Sequence, residues 1–202
     1  MNTLRQYRIA LQIFQSNRLR RDYRDLSEVP AYEPLGEFFF NEMYGPRDFS
    51  RRDQEGRRLA HFIDLLPGVH LHDLEEILEL LDLTYQLDDD LAQRMMAANV
   101  GTDFDETVYE HFYREADKYD DRLRQLNLVR SSLYNVFRLS RSSLIGMALR
   151  QTVFVARLVG ISEVHTFLRR GYDALQRVTT IDHFAETIYR RELDRLNRLY
   201  QR

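Results

Sequence analysis

The chain has 202 residues, 44% of them hydrophobic, and a formal net charge of −3. It has no Cys and no Trp, and 28 of its 29 basic residues are Arg, the exception being Lys118. The missing thiols exclude a disulfide framework, a cysteine nucleophile and any thiolate metal or iron–sulfur site. The apolar content is enough for a real core, and the near-neutral total argues against a generic nucleic-acid binder.

Helix punctuation is clear along the chain and strand signals are almost absent. The first helix is expected from Thr3 to Leu26, with Leu4, Tyr7, Leu11 and Phe14 as its apolar stripe. No continuous apolar run follows Arg5 and Arg8, so a secretory signal is not expected. Pro30 and Pro34 bracket a short second helix through Leu35, Phe38, Phe39 and Met43, which Gly45-Pro46 stops. Asp48 or Ser50 can cap a third helix through Leu59, Phe62, Ile63 and Leu66, ended by Pro67-Gly68. A long fourth helix is expected from His70 to Ala98, bent or broken at Asp88-Asp89-Asp90. Beyond the turn at Gly101-Thr102-Asp103, Phe104, Val108, Phe112 and Tyr119 mark a fifth. It, or a successor, continues through Leu123, Leu126, Val129 and Leu133 to Leu139.

Ser142-Ser143 can cap the most apolar helix, which ends near Gly160. Arg150, Gln151 and Arg157 lie inside it, so it reads as a deeply buried core helix, not a membrane span. Ser162 can cap the next helix, through Val164, Phe167, Leu168, Leu175 and Val178, and Asp182 begins the last, through Phe184, Ile188, Leu196 and Leu199. The expected fold is all-α. It is a single domain, 1–202, of seven to eight mostly antiparallel helices, with 1–100 and 101–202 as the alternative subdivision. The expected location is the cytoplasm.

Charge is segregated behind the small total. Residues 69–121 carry −13 and residues 122–202 carry +9. Pairing of acidic middle helices with arginine-rich later ones explains this. A basic face for an anionic partner, or an acidic face for a basic one, are the alternatives.

The stretch from Phe38 to Asp53 packs aromatics, a Gly-Pro break and alternating charges into a helix–turn–helix corner. Tyr44, Asp48, Arg51, Arg52 and Asp53 form either a structural elbow or an anion site where helix amides and arginines converge. On Phe38-Phe39-Phe40, Tyr44-Gly45-Pro46, Asp48-Phe49 and Arg52-Asp53 the chain resembles an uncharacterised bacterial family of all-helical proteins of about this length. Glu115-Ala116-Asp117, Gln125, Leu128-Val129, Leu144-Ile145, Phe167-Leu168, Arg170-Gly171, Ile188, Arg191-Glu192 and Leu196 extend the resemblance. It implies a helical fold and carries over no catalytic residue.

Signals for chemistry are sparse. No Glu-x-x-His motif occurs, and the nearest ligand pairs are His61 with Asp64, His70 with Asp73, His111 with Glu115 and His183 with Glu186. A metal or haem enzyme, with His111 as a proximal ligand, is the third functional reading; no cofactor is expected. Nucleophile elbows, phosphate loops and dinucleotide motifs are missing. Arg150 and Arg157, seven residues apart, share one face of the apolar helix. They either pair with acids of 69–121, reach the surface over buried stems, or hold the head of an apolar anion inside the bundle. The leading reading is a non-enzymatic interaction or scaffold protein. It would bind a protein partner or associate with itself, for example through Leu80, Leu83 and Leu87, without nucleic acid or membrane.

Overall fold

The computed structural model of the chain describes residues 3–39, 55 and 71–202. Among them lie ten helices and no strand: α1 (Leu4–Asp22), α2 (Arg24–Ser27), α3 (Glu33–Phe38), α4 (Leu71–Ala97), α5 (Glu106–Glu115), α6 (Tyr119–Ser140), α7 (Ser143–Gln151), α8 (Val153–Leu158), α9 (Ser162–Leu175) and α10 (Asp182–Tyr200). The all-α class is as the helical spacing predicts.

The breaks fall differently. The first expected helix is interrupted at Tyr23, where φ −118° and ψ 21° leave the helical region and the ring drops into the core. The break expected at Asp88-Asp89-Asp90 does not occur. Each carboxylate there is held from the side: Gln15 donates to Asp88 at 3.1 Å, Arg8 to Asp89 at 2.6 Å and Arg94 to Asp90 at 2.9 Å. Of the two alternatives for the fifth expected helix the successor is found: Asp117 adopts φ 50° and separates α5 from α6.

The bundle is built on α6, which packs against α4 on one flank and α10 on another, while α4 also carries α1. Leu19, Tyr23, Leu26, Leu80, Leu133, Phe184 and Ile188 lie in its main core cluster. A second cluster joins Tyr7 and Leu11 of α1 to Leu91 and Met95 of α4 and Tyr109 and Phe112 of α5. Leu80 and Leu87 are buried and Leu83 packs against the main core, so the face that suggested self-association is consumed inside the fold. Apolar side chains at helical spacing cannot by themselves tell a core stripe from an interface stripe.

The most apolar segment is also corrected. It is neither one helix nor deeply buried. Thr152 ends α7 with φ −89° and ψ 4°, and its hydroxyl donates to the Ala148 carbonyl at 2.7 Å, a back-bond that competes with helix continuation. Gly160 then takes φ 73°, the left-handed conformation that terminates a helix cheaply only for glycine. On the broken helix α7–α8 and at its end Leu144, Met147, Phe154, Leu158 and Val159 are exposed. Its inner side is thin: Gly146 and Leu149 of α7, and Ala156 with Ile161 and Val164. At Gly146 a side chain would run into the ring and hydroxyl of Tyr172, so α7 lies close against α9.

A buried ion-pair chamber and a candidate interaction face

Two places in the bundle hold chemistry the hydrophobic pattern does not use. The first is a cavity of about 80 Å³ where α1, α4, α5, α6 and α10 meet. Arg18 and Glu192 form a two-toothed ion pair there, at 2.8 and 3.0 Å, and Tyr23 donates its hydroxyl to the same carboxylate at 2.7 Å. Burial, and after it the Glu192 charge, hold the Tyr23 phenol far above its ordinary value, so it stays a donor. Arg18 Nε is buried with no hydrogen-bond partner.

Across the cavity Arg122 is equally enclosed. It lies over the Tyr113 ring, 4.6 Å from its centre, donates to Gln125 at 3.1 Å and the Leu87 carbonyl at 3.4 Å, and stands 3.7 Å from Asp88. Burial pushes the Asp88 carboxyl up from its usual range, against the opposing pull of Arg122 and the Gln15 hydrogen bond. At the rim Arg195 bridges Glu106 and Glu110, each at 2.9 Å. Every charge at the centre thus has an opposite charge at hand, and the space left is of water size, far below the few hundred Å³ of a drug-sized pocket. Physically the chamber is a positioning device that ties the first helix to the last.

The second place is the α7–α8 segment. Leu144, Met147 and Arg150 follow at steps of three along α7, and Phe154, Arg157 and Leu158 within one turn of α8. Phe154 is 68% and Leu158 71% exposed, and Arg150 and Arg157 are exposed beside them. Neither arginine forms an ion pair with a described residue, and neither lines the cavity. Of the three placements weighed for the two arginines, the surface one is found: α7 and α8 lie at the edge of the bundle, so their guanidinium groups need no internal partner. The segment is seated from below by His165 of α9, whose Nε2 lies 3.2 Å from Thr152 Oγ1, and burial pulls that ring down from its ordinary value. Arg141 fastens its entrance by donating to the carbonyls of Leu175 and Val178. Glu55 fixes its exit by accepting from the amides of Glu163 and Val164 at 2.7 and 3.0 Å.

Of the other candidates, Tyr44, Asp48, Arg51, Arg52 and Asp53 lie outside the described residues, as do His61, Asp64 and His70. His111 and Glu115 make a solvent-exposed pair at 3.5 Å. His183 stacks on Tyr32, while Glu186 is taken by Arg130 at 2.7 Å and Tyr134 at 2.8 Å. Among the described residues no three potential ligands gather into a metal site, and no helix is long and apolar enough to cross a membrane.

No motif singles out the chamber residues, yet they share a signal. Arg18 stands four residues after Phe14 on the α1 stripe, Glu192 midway between Ile188 and Leu196, and Asp88 three before Leu91. A charge on an apolar stripe is a charge that must find a buried partner.

The family model described as "Domain of unknown function (DUF8198)" matches residues 1–202. No curated protein and no solved structure matches the chain.

Proposed function

The chain belongs to the DUF8198 family, and from that premise we propose that it is a non-enzymatic interaction protein of the bacterial cytoplasm, which engages a protein partner through the α7–α8 segment. One observation carries the reading: between residues 144 and 159 five large apolar side chains are exposed, four on two consecutive short helices and Val159 directly after them. Exposed apolar side chains scattered singly are ordinary, but a contiguous group of them marks an interaction surface. The rest of the fold supports a binding role over a catalytic one. The central charges of the chamber, Arg18 with Glu192 and Arg122 with Asp88, face each other, and its volume of about 80 Å³ is far below that of a pocket for an organic substrate.

Photocrosslinking from position 154 in the native host tests the proposal, with the exposed Arg24 as control position. The expected result is a discrete adduct from 154 and none from 24. The crosslinked protein, once purified, should bind the chain directly and lose binding to Phe154→Asp. The same pattern from both positions, or no adduct from 154, overturns the reading.

A further inference from the structure

The charge on the α7–α8 face restricts what can cover it. From Arg122 to Ser162 the chain contains seven arginines and no acidic residue. Arg150 and Arg157 project beside the exposed apolar side chains and have no ion-pair partner among the described residues. A second copy docking about a two-fold axis would lay this face on itself. It would bring the arginines of both copies to one interface with no carboxylate from residues 122–162 to separate them, and like charges at a closed interface oppose binding. A lipid surface fits poorly as well. Surface-seeking helices present one continuous apolar face opposite a basic one. Here the break at Thr152 leaves helices of nine and six residues, which interrupts any such continuous face.

We infer that the partner is an acidic amphipathic helix of another protein. Its apolar side lies on Met147, Phe154 and Leu158, and its carboxylates meet Arg150 and Arg157. This rests on the interaction reading above and adds the partner's chemistry. An arginine's planar fork can take a carboxylate through two parallel hydrogen bonds, which sets the orientation of a helix seated by apolar contact.

Fluorescence anisotropy on the full chain tests the inference with three labelled helical peptides. They share one Leu/Phe stripe, and their remaining positions are mostly Glu, Gln or Lys. The Glu peptide is expected to bind at least about tenfold more tightly than the other two, and to weaken as salt rises. Arg150→Glu with Arg157→Glu should reverse the order, so that the Lys peptide binds best, while Phe154→Asp should abolish binding of all three. Urea midpoints of the variants, matched to the parent, establish that each is folded.

Equal binding of the Gln peptide, or no binding of the Glu peptide by the folded parent, overturns the acidic partner. The crosslinking result would then still decide the interaction reading by itself. A micromolar dimer in sedimentation velocity that Phe154→Asp dissolves would overturn it in favour of a second copy. Flotation with phosphatidylglycerol vesicles, lost in Phe154→Asp, would overturn it in favour of lipid.

Discussion

Glu192 closes on Arg18 across 174 residues of chain, one carboxylate oxygen on each terminal guanidinium nitrogen. The pair links α1 to α10, and Tyr23 completes it. Removing one member of a buried pair strands the other charge, at a cost of about 3–5 kcal/mol. Glu192→Gln should therefore lower the urea unfolding free energy by about that amount. The double variant Arg18→Met with Glu192→Leu should lose clearly less than Glu192→Gln alone, because no charge is then left buried. A double variant as unstable as the single would show that the pair's geometry, and not its charge balance, holds the helices.

Asp88 predicts a pH dependence. Its carboxyl titrates above its ordinary value in the folded protein, chiefly through burial. An acid raised on folding favours the fold most when protonated. Its contribution is complete below the unfolded value near pH ~4 and is lost as pH rises through the folded value. Asp88→Asn removes this dependence. Measured by urea unfolding across the acid-to-neutral range, the stability of the parent minus that of Asp88→Asn should fall as pH rises. Glu106, Asp25 and Glu186, all held low by arginine partners, slope the other way and largely cancel in the difference. A difference that is flat, or rises with pH, would contradict the burial of a reluctant carboxylate.

Glu55 predicts a long-range cap. The N-cap position of α9 is Ile161, which has no side-chain oxygen, and Ser162 is already the first helical residue. Two amides of the first turn are taken by Glu55 instead. Loss of an N-cap acceptor costs typically ~1 kcal/mol. Glu55→Ala should lose about that or somewhat more, since the site is buried, and Glu55→Gln should lose less because one acceptor oxygen remains. Hydrogen exchange at the Glu163 and Val164 amides should accelerate in Glu55→Ala more than exchange in the middle of α6.

Much of the fold was legible in the sequence because periodic apolar spacing reports which way a helix faces. The stripes through Leu11, Leu91, Leu133 and Ile188 all end in the core. The charge partition was legible too: Arg124 meets Glu79 at 2.7 Å, and Arg195 meets Glu106 and Glu110. What the sequence hid was whatever depends on a distant neighbour. Apolar density in 144–161 says that the segment can be buried, but not that another element is there to bury it. Only the back-bond at Thr152 and the close seat of Gly146 on Tyr172 reveal two short helices at the edge. The partnership of Arg18 with Glu192 was out of reach for the same reason, although the positions of both on apolar stripes marked each as a charge awaiting a partner.

The edge position of α8 separates stability from association. A core phenylalanine cut to a small residue costs about 3–5 kcal/mol, whereas substitutions on open surface stay within ~0.5 kcal/mol. Phe184 is fully buried and Phe154 is 68% exposed, so the two should fall at opposite ends of that scale. Phe184→Ala should shift the urea midpoint strongly. Phe154→Ser and Leu158→Ser should leave it unchanged while lowering retention on a hydrophobic-interaction column, because they remove apolar surface already in contact with water. If Phe154→Ser instead cost several kcal/mol in the isolated chain, the segment would be packed within its own fold, and α7–α8 would no longer be a surface open to another protein.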